Sequence, residues 1–171
     1  MDRSSLRLIA TLLIAAAVLV SQRTSAQSTF NPYRELADIQ RFVFVSGSFT
    51  TPNADDLVRI RPEEFKNYVV LKVRTNLREI PYREVEWTQR TKADGRFYCE
   101  LMAVDSENKA LVAYHVQCTA AKSSPADQSV IWTDSVIGIV GNRNVETTVK
   151  GAVDRLVENF AGEFYKAKAQ K

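Results

Sequence analysis

Arg96-Phe97-Tyr98-Cys99-Glu100-Leu101-Met102-Ala103-Val104, followed after a polar break at Asp105–Lys109 by Leu111-Val112-Ala113-Tyr114-His115-Val116-Gln117-Cys118, decides the fold. Both stretches alternate and are rich in aromatic and β-branched residues, the signature of paired half-buried strands. Phe97, Cys99, Leu101 and Ala103 share one face of the first strand; Val112, Tyr114, Val116 and Cys118 share one face of the second. With Asn108 and Lys109 as a two-residue loop, the numbers of opposed residues sum to 217, which sets Cys99 against Cys118 on the inward face. These are the only cysteines. Neither their separation nor their strand setting matches a redox motif, so a structural disulfide is expected, worth a few kcal/mol.

A disulfide needs an oxidising compartment, and the N-terminus supplies the route. Arg3 and Arg7 precede thirteen uncharged residues, Leu8–Val20, and Thr24-Ser25-Ala26 stands before Gln27 as a small-residue cleavage site. The apolar run is shorter than the ~20 residues a spanning helix needs. Residues 1–26 are therefore expected to be a cleaved signal peptide and 27–171 a single periplasmic or secreted domain, with no membrane span after cleavage. No cysteine near the cleavage site offers a lipid anchor. The formal charge of +3 falls towards neutrality without the leader, which carries Arg3, Arg7 and Arg23 against Asp2. A nucleic-acid partner, which needs a clustered basic face, is not expected.

Outward from the hairpin, Asn31-Pro32 opens a short helix and Arg41–Ser46 reads as a buried strand closed by Gly47. Thr50–Asp56 reads as a loop. Pro62-Glu63-Glu64 starts a second helix with Phe65, Val69, Val73, Leu77 and Ile80 in one arc, stopped by Pro81. Val85–Gln89 alternates weakly as a strand, Ala93-Asp94-Gly95 reads as a turn, and Ser129–Ile137 as another strand. Gly138–Asn144 reads as a turn with Asn144 capping the final helix, whose Val149, Val153, Leu156, Val157, Phe160 and Phe164 form an apolar stripe. The expectation is an α+β single domain: a four- or five-stranded, mostly antiparallel mixed sheet with two main helices packed on it.

Catalytic chemistry finds little support. His115 is the only histidine and no Gly-x-Ser-x-Gly turn accompanies it. With one histidine and two paired cysteines a zinc site would have to rely mainly on carboxylates, which is uncommon, so no metal is expected, and no cofactor motif appears: Gly138–Asn144 lacks both the phosphate-loop ending and the dinucleotide spacing. The acidic pairs Asp55/Asp56, Glu63/Glu64 and Glu84/Glu86 read as loop, helix-dipole and strand-surface acids. Gly151 and Gly162 fall on the polar arc of the final helix, where glycine costs up to ~1 kcal/mol. With Arg155 and Glu158 they mark a possible partner surface, as does the sheet face carrying His115 and Gln117. Trp87, Tyr114 and Trp132 could line an apolar cleft.

Pro32-Tyr33-x-Glu35-Leu36 running into Phe42-Val43-Phe44-Val45, then Leu71-Lys72-Val73-Arg74, Ala113-Tyr114-x-Val116, Ile131-Trp132 and Leu156-Val157-x-x-Phe160-Ala161-x-x-Phe164, resemble small secreted bacterial proteins of similar length. Their architecture looks like the α/β domain at the start of TolB and in curli-secretion lipoproteins. This chain departs from those proteins in lacking a lipidation cysteine, a pore-forming hairpin and a propeller, so their activities do not carry over. The expected function is that of an exported, non-enzymatic protein that binds another envelope protein or itself. The alternatives are a small apolar-ligand carrier and an exported hydrolase using His115.

Overall fold

The computed structural model describes residues 31–49, 60–105 and 110–171. The expected signal peptide, the loop at Thr50–Asp56 and the turn at Asn108–Lys109 lie outside the described residues. Helix α1 (Pro32–Asp38) leads into strand β1 (Arg41–Phe49), helix α2 (Pro62–Asn76), strands β2 (Asp94–Asp105), β3 (Leu111–Lys122) and β4 (Val130–Gly141), and helix α3 (Val145–Ala169). The sheet runs in the order β1-β2-β3-β4. Its β1/β2 pair is parallel, with α2 as the crossover, and the other two pairs are antiparallel. The α+β single domain with a mixed sheet is thus as expected, at four strands.

Cys99 stands opposite Cys118 in the register, and the two form a disulfide with Cα atoms 4.0 Å apart. Phe97, Cys99, Leu101, Ala103, Val112, Val116 and Cys118 are all buried on the face that α2 and α3 cover. Phe160 of α3 is the hub, its ring 4.8 Å from Phe97, 4.9 Å from Trp132 and 5.9 Å from Phe42. Gly47 sits opposite Cys99, where a Cβ would come within 2.7 Å of the Phe65 ring. Its missing side chain is what lets α2 approach β1. The two long helices are joined by Tyr68, whose hydroxyl donates to Asp154 at 2.7 Å, and by a Lys72–Asp154 ion pair at 2.9 Å. Burial, followed by that bond to a carboxylate, raises the Tyr68 phenol above its ordinary pKa.

Four expectations are corrected. Helix α2 stops at Asn76 rather than near Ile80: Thr75 and Asn76 bond back to the carbonyls of Leu71 and Lys72, and Pro81 disfavours helical backbone at Ile80. Val85–Gln89 is not a strand; Trp87–Gln89 is a 3-10 turn, and Arg90 folds back over the Trp87 ring at 5.0 Å and onto the Val85 carbonyl. Asp94 is no turn residue but the first residue of β2, its side chain 1% exposed and bonded to Arg41 Nε at 2.6 Å and Thr91 N–H at 2.6 Å. Burial alone would raise that carboxyl; the bonds from Arg41 and Thr91 override it and hold the pKa below the ordinary value. Finally, β4 continues through Gly138 to Gly141, and Asn144 makes no side-chain cap. Gly138 is needed for close approach, because a Cβ there would lie 2.7 Å from the Tyr114 hydroxyl.

Candidate binding surfaces

Because α2 and α3 both pack on one side of the sheet, the other side is built from the alternate residues. In the register these form rows across β2, β3 and β4: Tyr98–Thr119–Thr133, Glu100–Gln117–Ser135, Met102–His115–Ile137 and Val104–Ala113–Ile139. The first two rows are polar, and Gln117 donates to Thr133 at 3.1 Å. The last two are apolar apart from His115, yet Ile137 is 77%, Ile139 73% and Val104 62% exposed. Leu111 and Met102 are also exposed. His115 is half-buried between Met102 and Ile137, and its imidazole has no hydrogen-bond or ion-pair partner among the described residues. The hydrolase reading therefore has neither a nucleophile nor an orienting carboxylate bonded to its histidine there.

The sheet has two edges, and they differ. Beside β1, Tyr82 forms a parallel bridge to Phe42, Phe42 N–H donates to Pro81 O at 2.9 Å and Arg83 N–H to Phe42 O at 3.0 Å. Among the described residues no strand pairs with the outer edge of β4. Asp134 is its one charged residue, and it has no proline, so it lacks the usual devices that discourage strand pairing.

At the other end of β4, a groove of about 700 Å³ opens between α1, β4 and α3, lined by Tyr33, Trp132, Asp134, Glu158, Gly162 and Glu163 among others. Trp132 is fixed against Phe97 and Phe160. Asp134 accepts from Ser135 N–H at 2.8 Å and from Asn159 Nδ2 at 3.2 Å. Asp134, Glu158 and Glu163 have no Lys or Arg within ion-pair distance among the described residues. Lys166 lies 5.7 Å from the Tyr33 ring centroid.

The residues singled out in the sequence are distributed as follows. Gly151, Arg155, Glu158 and Gly162 form one exposed stripe of α3, and a Cβ at either glycine would meet nothing within 4 Å. Only Glu158 and Gly162 reach the groove. Trp87, Tyr114 and Trp132 do not share a cleft: Trp87 is exposed beyond the β1 side, Tyr114 is buried beneath Gly138, and Trp132 packs on Phe160. Aromatic character suggested a shared cleft, but nothing local in the sequence says which part of the fold each ring reaches. Glu63 pairs with Lys66 and Glu64 with Lys150, while Glu84 accepts from the Tyr82 hydroxyl. Asp55 and Asp56 lie outside the described residues. The groove residues Tyr33, Asp134 and Glu163 carried no site signal in the sequence, since they come from three distant segments; Trp132, Glu158 and Gly162 were marked, but for two different surfaces.

Among the described residues no group of side chains could hold a metal ion, and no helix is long and apolar enough to cross a membrane. No family model matches the chain, and no curated protein matches its sequence. Among solved structures it is similar to the PelC dodecamer from Paraburkholderia phytofirmans, at 11% identity over 71% of this chain and 88% of that one, TM-score 0.42. It is also similar to a DUF330 protein from Xanthomonas campestris, at 13% identity over 77% and 87%, TM-score 0.40. A third similar structure is rare lipoprotein B from Shewanella oneidensis, at 12% identity over 72% and 93%, TM-score 0.32.

Proposed function

We propose that this chain is an exported, disulfide-bonded, non-enzymatic protein of the periplasm or the medium that works by protein association, and that its first partner is a second copy of itself joined along β4. The carrying observation is the combination at Val136–Val140: an unguarded sheet edge whose Ile137 and Ile139 are also the most exposed large apolar side chains described. Antiparallel pairing about Gly138 sets Ile137 of one copy against Ile139 of the other on the open face, and Val136 against Val140 on the helical side. Asp134 falls outside the paired segment, so no like charges are opposed. The two sheets would join edge to edge, with the open-face apolar residues Leu111 on β3 and Met102 and Val104 on β2 extending the patch inward from the seam in each copy.

Pairing covers the four isoleucines only against one another, less than the ~1.5–3 kcal/mol each of full burial, and association costs ~4–15 kcal/mol, so the dimer is weak and concentration-dependent. Export is supported by the leader and by the buried disulfide. The likeness to TolB-type domains belongs with this reading as a likeness of architecture.

Sedimentation velocity across a concentration series tests it. Wild-type protein should shift from monomer to dimer, Ile139→Lys should stay monomeric, and Arg155→Glu on the α3 stripe should behave as wild type. A wild-type protein that is monomeric throughout refutes self-association; one that loses assembly through Arg155→Glu but not Ile139→Lys transfers the contact to α3.

A further inference from the structure

We infer that the groove between α1, β4 and α3 binds an organic cation, an ammonium or guanidinium group carried on a small apolar body. This inference is independent of self-association, because the groove uses Trp132 and Asp134 whereas the proposed seam uses Val136–Val140. It is an open groove of about 700 Å³, with room for a small molecule lying along it. Its lining carries three carboxylates, Asp134, Glu158 and Glu163, and no lysine or arginine, with Lys166 outside it at the Tyr33 ring. Those three carboxylates do not converge as a metal-ligand set. Charge spread along a groove suits an extended cation better than a point ion.

The aromatic walls are the second, independent feature. Trp132 and Tyr33 provide the faces over which a weakly hydrated cation is favoured, and Trp132 is held in place by Phe97 and Phe160. Lys166, 5.7 Å from the Tyr33 ring, already shows a cation placed at that ring. Gly162 adds a third feature. It stands inside a 25-residue helix, where packing does not require glycine, since a Cβ would meet nothing within 4 Å; its absence keeps that wall of the groove low.

Trp87 and Trp132 are the only tryptophans, so full-length protein carrying Trp87→Phe makes Trp132 the sole reporter. The probes are choline, arginine ethyl ester and 3,3-dimethylbutan-1-ol, the uncharged isostere of choline. Saturable quenching by choline or by the arginine ester, absent with the alcohol, is expected; which of the two binds tells ammonium from guanidinium. Glu158→Gln with Glu163→Gln should weaken binding about tenfold, and added salt should weaken it further. Gly162→Leu should abolish it while the unfolding midpoint rises, since leucine is the better helix former at an open position. Absence of a saturable change with both cations, or equal binding of the alcohol, overturns the inference.

Discussion

Adding one methyl group at two glycines should move stability in opposite directions. At Gly151 the new Cβ meets nothing within 4 Å, and the position is exposed within α3. Gly151→Ala should therefore recover most of the helix-propensity difference, a gain of about 0.5–1 kcal/mol. At Gly47 the same Cβ would lie 2.7 and 2.9 Å from two Phe65 ring carbons and 3.1 Å from a Val69 methyl. Phe65 cannot swing clear: it is wholly buried and stacked on Phe49 with ring centroids 5.3 Å apart. Overpacking costs about 1–3 kcal/mol, of which the loss of glycine's unfolded-state freedom returns about 0.5–1, leaving Gly47→Ala about 1–2 kcal/mol less stable. The two variants should differ by about 2 kcal/mol, which at urea slopes of ~1–3 kcal/mol/M separates their midpoints by about 1 M. Urea unfolding followed by far-UV circular dichroism, with the disulfide intact, measures this. A Gly47→Ala midpoint equal to wild type would refute the close approach of α2 to β1. A lowered Gly151→Ala midpoint would refute the open α3 surface.

Cys99→Ala/Cys118→Ala should lower stability by about 3 kcal/mol in the chain-entropy model for a loop of this length, and thiol titration of the wild type should find none before or after denaturation without reductant. The Asp94 carboxyl has its pKa depressed in the folded state, so its contribution is full above the unfolded value of about 3.9 and is lost as pH falls through the folded value. Asp94→Asn should flatten that acid limb in a pH series of unfolding midpoints, and an unchanged limb would assign it to other carboxyls. Lys168 Nζ donates to Ala37 O at 2.8 Å and Ile39 O at 2.6 Å, and burial lowers its pKa. Lys168→Met should speed amide exchange through Pro32–Asp38 while leaving β2 and β3 protected; uniform exchange in both regions would contradict a local tether.

The hairpin was legible because its two strands alternate strictly and one register serves both, so the cysteine pairing followed from counting. Gly138 misled for a specific reason. A glycine followed three residues later by another looks like a turn, whereas here it makes room for Tyr114, a residue 24 positions earlier whose position only the sheet register reveals. Val85–Gln89 misled because weak alternation carries no information about Arg90, which draws the segment into a turn over Trp87. The groove was illegible for the opposite reason. Its residues follow no local period, and Tyr33 meets Trp132 and Glu163 only because α1 packs beside both β4 and α3.

The polarity of the open sheet face changes along the strands, and that change separates architecture from function. In an antiparallel sheet wetted on one side, outward positions are expected to be polar along the whole strand. The rows through Thr133 and Ser135 obey this, and their side chains bond across strands. The rows through Ile137 and Ile139 break it on all three strands apart from His115, with Met102 and Val104 on β2, Ala113 on β3 and both isoleucines on β4, and Leu111 of β3 adjoins them. A lone exposed isoleucine needs no explanation, but a contiguous patch across three strands does. Stability of the isolated chain cannot account for it, because lysine or threonine at Ile137 and Ile139 would cost the folded monomer little. The patch also reaches the sheet edge at Val136–Val140, which has neither charge nor proline, so a partner strand there would pair the backbone and abut Ile137 and Ile139 in a single contact.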